Sequence, residues 1–101
     1  MSALHLNHES FEQEVLHADK PVLLDFFANW CGPCGQLSPI IDRLAQEHPE
    51  LKVAKVDVDS QKELARKHKV FSIPTLVIYK NGEIAGRHTG VLPLEEIAAL
   101  I

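Results

Sequence analysis

Residues Pro21–Ala28 read "PVLLDFFA", apolar at every position but one. A run of this kind, bounded by proline, predicts a strand covered on both faces. Its one charge is Asp25. Ahead of it, Ala3–Asn7 alternates and predicts a short edge strand, while Phe11, Val15 and Leu16 share a face and predict a helix over Ser10–His17. Ser10 with Gln13 fits a capping box for that helix. Further on, Leu37, Ile40, Ile41, Leu44 and Ala45 recur at helical spacing as one apolar stripe, with Pro39 inside it as an expected kink. Leu51–Asp59 alternates as a strand, and Ser60 with Glu63 fits a second capping box, opening a helix through about His68. Thr75–Gly90 reads as a hairpin turning at Asn81-Gly82. The last helix has Pro93 in its first turn and Leu94, Ile97, Ala98 and Ile101 on its apolar face. The order β-α-β-α-β-α-β-β-α predicts an α/β fold. Right-handed βαβ crossovers give it a parallel centre, the final hairpin adds antiparallel pairing, and helices cover both faces.

Composition narrows the possibilities. A chain of 101 residues is expected to form a single domain over 1–101. It is 46% hydrophobic and 24% charged, so it can bury a core without a metal or a set of disulfides. A net charge of −4 argues against nucleic acid as the main partner. The densest basic cluster, Arg66–Lys69, is short and reads as a solvated helix face. "MSALHLNHES" has neither a basic n-region nor a long apolar stretch, and nothing approaches the ~18 apolar residues of a membrane span. The expectation is a cytoplasmic protein without membrane contact. In that reducing compartment a permanent disulfide staple is disfavoured.

Both cysteines lie in "WCGPC", Trp30–Cys34, between the buried strand and the striped helix. Three chemistries compete for them. A zinc site needs a second Cys or His pair, and none of the six histidines lies near the cysteines in sequence. An inert pair explains neither the Trp-Cys-Gly-Pro-Cys context nor the strand–helix junction. A redox pair explains both. Unpaired N–H groups and partial positive charge at a helix start stabilise a thiolate there. The three-residue spacing puts both side chains on one side of the first turn, so Cys34 can attack a mixed disulfide formed at Cys31. Pro33 costs little where its N–H would be orphaned anyway.

The chain resembles the thioredoxin family over essentially its whole length. The resemblance rests on "WCGPC", "VLLDFFA", "VAKVDVD", "SIPT" (Ser72–Thr75), "YKNGE" and Gly90, in that order and spacing. It implies the thioredoxin fold, a central mixed five-stranded sheet flanked by four helices. It implies a protein-disulfide reductase in which Cys31 is the exposed attacking thiol and Cys34 the buried resolving thiol, with a redox disulfide Cys31–Cys34. Asp25 matches the buried acid beneath the disulfide. A lone carboxylate in an apolar run should have a raised pKa, which suits it to take the Cys34 proton, although an ordinary edge-facing Asp is the alternative. Lys55 matches the partner of that acid, or is a solvent-facing strand residue. Pro74 matches the family's cis-proline. The backbone of Ile73 would pair with an extended substrate segment, as an added strand. Trp30, Gly32, Pro33, Ile73, Pro74, Gly90 and Val91 would form a flat apolar substrate-binding patch, unless Trp30 belongs to the core. No cofactor or metal is expected to be bound. Electrons are expected from NADPH through thioredoxin reductase, the partners being that reductase and disulfide-containing protein substrates of a monomer.

Two departures stand out. The family usually has Lys after the second cysteine, where this chain has Gly35, and many members have Trp in place of Phe27. Gly35 predicts a slightly less acidic Cys31. Two other functions compete with the reductase. An oxidant or isomerase on the same fold usually carries His between the cysteines, where this chain has Gly32-Pro33. A partner-binding module with incidental redox activity would leave the Cys pair, Asp25 and Pro74 without a purpose.

Overall fold

The strand read from "VLLDFF" forms as β2, Val22–Phe27, and everything else is arranged around it. In the computed structural model, which describes residues 3–101, β2 has a neighbour on each side. The strands β1 (Leu4–His5), β3 (Lys52–Asp57), β4 (Thr75–Lys80) and β5 (Glu83–Thr89) join it in the order β1-β3-β2-β4-β5. β3 runs parallel to both β1 and β2, and β4 runs antiparallel to β2 and β5. This is the expected mixed sheet of the thioredoxin fold, with β1 at one edge.

Alternation along β2 splits the core in two. Val22, Leu24 and Phe26 pack with Phe11, Val15, Ala54, Val56, Leu64 and Val77 on one face. Leu23 packs on the other with Leu37, Ile41 and Leu44 of α1 (Gly32–Glu47) and Leu94 and Ile97 of α3 (Leu94–Ala99). Helix α2, Lys62–Lys67, supplies Leu64 to the first face. Asp25 shares the side of Leu23 and therefore faces the α1 layer.

Helix starts differ from expectation. The first helix is a π-helical turn, Glu12–Leu16, in which the His17 N–H reaches Glu12 O at 3.1 Å. The Ser10–Gln13 box does not form. Ser10 instead pairs reciprocally with Asn7: its N–H donates to Asn7 Oδ1 at 2.8 Å and its Oγ accepts from the Asn7 N–H at 3.1 Å. That pairing closes the turn ahead of the helix, whose own start at Phe11 has no side-chain cap among the described residues. The Ser60–Glu63 box is also absent. The chain enters α2 through a turn on Asp57, whose carbonyl accepts from the Gln61 N–H at 2.8 Å and whose Oδ1 accepts from the Asp59 N–H at 2.9 Å. Helix α1 runs unbroken through Pro39. Proline there removes the donor for Gly35 O, and Gly35 is exposed, so water can take that carbonyl. At the hairpin, Asn81 and Gly82 both have positive φ, 54° and 79°, as a two-residue I′ turn requires.

One histidine is core. His68, 3% exposed, lies against the rings of Phe11, Phe26 and Tyr79. Its Nδ1 sits 2.8 Å from Leu64 O and its Nε2 2.7 Å from Tyr79 Oη. A carbonyl only accepts, so Nδ1 carries the proton and Nε2 accepts from the tyrosine hydroxyl. Burial lowers the His68 pKa below its usual value, opposed by the bond to Leu64 and aided by the charges of Lys67 and Arg87. The unfolded chain thus binds the proton first as pH falls below ~6.5, and stability from this group is lost through that window. Urea unfolding of wild type and His68→Gln at pH 5 and pH 7 checks this: the wild-type advantage should be smaller at pH 5.

Candidate active site

The site forms where β2 ends and α1 begins. Cys31 caps α1 in extended conformation (φ −89°, ψ 115°), and its Sγ accepts from the Cys34 N–H at 3.2 Å. That is the helix-start donor expected to steady a thiolate. Gly32 and Pro33 occupy the first turn, and Cys31 and Cys34 are joined as a disulfide with Cα atoms 5.3 Å apart. The resemblance implied an exposed attacking thiol, yet Cys31 keeps only 8% exposure against 4% for Cys34. Packing among Ala28, Phe27, Val58 and Ile73 covers most of it. A recess of about 150 Å³ beside the pair is lined by Phe27, Ala28, Asn29, both cysteines, Gly35 and Ser38.

Asp25 is 1% exposed, and its Oδ1 has no hydrogen-bond partner among the described residues. Burial pushes its pKa up to about 7, with the Lys55 charge opposing and the Asp42 charge adding to the rise. It is not edge-facing. Lys55 is its register partner on β3 and is equally inward, 7% exposed. The Lys55 ammonium, however, bonds elsewhere, donating to Ser38 Oγ at 2.7 Å and pairing with Asp42 Oδ1 at 3.1 Å. Its direct partner is Asp42, and it acts on Asp25 only through space. Burial works against the Asp42 charge most strongly, but the Lys55 bond, the Ala3 amide and the charges of Lys55 and His5 together hold its pKa below the ordinary value. Sequence reasoning missed Ser38 and Asp42. The available signal was spacing: residues 34, 38 and 42 form one column on α1.

The loop before β4 faces the disulfide. The Ile73–Pro74 bond is cis, and Ile73 O lies 3.9 Å from Cys31 Sγ. Thr75 Oγ1 holds the loop by donating to Ser72 O at 2.6 Å. Gly90, at φ 109°, donates its N–H to Pro74 O at 2.8 Å, a backbone shape that suits glycine alone. Of the expected patch, Trp30 is 73% exposed and Val91 38%; Gly32 and Pro33 are exposed, Ile73 and Gly90 half-buried, and Pro74 buried beneath them. Trp30 is not core, and its Nε1 donates to Asp59 Oδ2 at 2.8 Å. Phe71, missed from sequence, is 91% exposed in the same loop. Among the described residues no group of three or more His, Cys, Asp or Glu could hold a metal ion, and no helix is long and apolar enough to cross a membrane.

A Cys-Gly-Pro-Cys disulfide at a helix start, with the Ile73 carbonyl beside it, is the site of a dithiol–disulfide oxidoreductase. Comparisons with known proteins agree. The thioredoxin family model matches residues 2–101. The chain is 41% identical to the thioredoxin of Haemophilus influenzae over 99 residues, 97% of this chain and 92% of that one. It is 38% identical to the thioredoxin of Pseudomonas aeruginosa over the same shares, and 43% identical to that of Porphyra purpurea over 92% of this chain and 88% of that one. The chain belongs to the thioredoxin family. It is a protein-disulfide reductase that works by dithiol–disulfide exchange through Cys31 and Cys34, and the family's partners are disulfide substrates and a reductase.

Two outcomes test the geometry. Between pH ~4 and ~7, Asp25 is protonated when folded and ionised when unfolded, so stability falls as pH rises through that window and levels off above it. Asp25→Asn should therefore gain roughly 2–4 kcal/mol over wild type at pH 8 and little at pH 4, read by urea unfolding of the oxidised protein. A Cβ at Gly35 meets nothing within 4 Å. Gly35→Lys should fold normally and speed alkylation of reduced Cys31 by iodoacetamide at neutral pH.

Proposed function

We propose that the chain is a general cytoplasmic reductant, acting as a single-domain monomer, with Asp25 as its internal acid–base group. The observation that carries this reading is the buried, unpartnered Asp25 carboxyl, with its pKa near neutral, in the layer that α1 covers. The reaction takes two steps. The Cys31 thiolate attacks one sulfur of a substrate disulfide; a new S–S bond forms, the old one breaks, and the other substrate sulfur leaves as thiolate. Ionised Asp25 then takes the Cys34 proton. The Cys34 thiolate attacks Cys31 Sγ, forms the internal disulfide and releases the second substrate thiolate. Two electrons pass to the substrate, and the proton on Asp25 returns to solvent. NADPH, through thioredoxin reductase, restores the dithiol, so the chain itself needs no bound cofactor.

The substrate segment is held as an added strand against the Ile73 backbone, on the patch of Trp30, Gly32, Pro33, Pro74, Gly90 and Val91. The exposure of Trp30 and Val91 and the 3.9 Å approach of Ile73 O to Cys31 support this placement. Lys55 tunes Asp25 from a distance.

The deciding measurement is the redox midpoint of the Cys31–Cys34 pair, followed by Trp30 fluorescence. A value near about −270 mV is expected for a reductant; one nearer about −180 to −120 mV would make the chain an isomerase or oxidant. In the same preparation, Cys34→Ser should accumulate a mixed disulfide at Cys31, and Cys31→Ser should not.

A further inference from the structure

Lys55 could serve either of two carboxylates. Asp25 is its register partner on the adjacent parallel strand, and neighbouring strands lie only about 4.8 Å apart. A lysine stem is long and flexible enough to turn its ammonium to either side. An ion pair with Asp25 would also satisfy the orphaned Oδ1. The ammonium instead lies on α1, 2.7 Å from Ser38 Oγ and 3.1 Å from Asp42 Oδ1. Ser38 and Asp42 stand four and eight residues beyond Cys34, on the same column of the helix.

We infer that Ser38, together with Asp42, is a positioning residue for Asp25: the two hold the Lys55 ammonium against α1, so that Asp25 remains an unpaired carboxyl rather than half of an ion pair. The inference rests on the acid–base reading of Asp25. An ion-paired carboxylate would be a weaker base, ionised over more of the neutral range and less able to hold the Cys34 proton until it returns to solvent. The remaining surroundings leave the choice to this clamp. From α1, the charge of Asp42 acts on Asp25; from β3, its register partner is Lys55. On β4 its register partner is Leu76, and α3 contributes Leu94 and Ile97 to the same layer. On β1, His5 is the register partner of Lys55, and its charge reaches Asp42. Among the described residues, Lys55 is thus the one cation whose charge acts on the acid.

The test is a carboxyl ¹³C NMR titration of Asp25 in the oxidised protein, with a pH–rate profile for reduction of a disulfide-linked protein substrate. Ser38→Ala and Ser38→Val remove the hydroxyl; Ser38→Thr keeps it. Asp42 is left intact because its own charge acts on Asp25. In the first two variants the Asp25 midpoint should fall by about one pH unit as the ammonium turns toward it, and Ser38→Thr should match wild type. The fall should vanish in Lys55→Met/Ser38→Ala compared with Lys55→Met alone. An unmoved midpoint, or a fall that persists without Lys55, overturns the clamp whatever the rates do. A lowered midpoint with an unmoved pH–rate profile upholds the clamp and removes the acid–base reading of Asp25 instead.

Discussion

A carboxyl group buried without a hydrogen-bond partner in the middle of a sheet is the constraint on which the rest of this structure depends. Leaving a polar group unsatisfied in an apolar layer costs on the order of 1–3 kcal/mol, and ionising it costs more. The chain tolerates this because Asp25 lies on the central strand, braced by β3 and β4 and flanked by core residues on both faces. The same brace fixes where β2 ends, and so where Cys31 begins α1. An edge strand could not hold the acid as tightly, nor keep water from it.

The remainder of the site comes from segments distant in sequence. Helix α1 brings Cys34, Ser38 and Asp42 as one column, β3 brings Lys55, and the loop before β4 brings Ile73 and Pro74. Short backbone and side-chain bonds fasten that loop: Thr75 to Ser72, and Gly90 to Pro74. None of these bonds involves a reacting atom. They set the distance from Ile73 O to the disulfide, and so the room in which a substrate strand must fit.

Elements that bury a regular apolar pattern were legible in the sequence. The run at Pro21–Ala28, the stripe after the cysteines and the Asn81-Gly82 turn each formed where periodicity and turn chemistry placed them. Asp25 was visible as the polar exception in its run, and its burial follows from its neighbours. The local capping signals failed. Ser10–Gln13 and Ser60–Glu63 have the right spacing, but Asn7 takes the Ser10 amide and the Asp57 carbonyl takes the Ser60 hydroxyl. The direct bonds of Lys55 to Ser38 and Asp42 escaped the sequence for a related reason. Strand register puts Lys55 beside Asp25, whereas the rotamer of a long side chain is settled by α1, whose contacts no periodicity in β3 reveals. The exposure of Phe71 belongs to an irregular loop, where no repeat constrains it.

The indole of Trp30 stands almost free of the fold, yet its one polar atom is tied to Asp59. A large exposed side chain normally samples several rotamers, and a partner that fixes it forfeits about 0.5–1.5 kcal/mol in lost side-chain freedom. Here the turn after β3 has already made that choice. That bond favours one orientation of the ring before any encounter, so a chain docking beside Cys31 meets a surface part of whose disorder has been spent during folding rather than at the moment of contact.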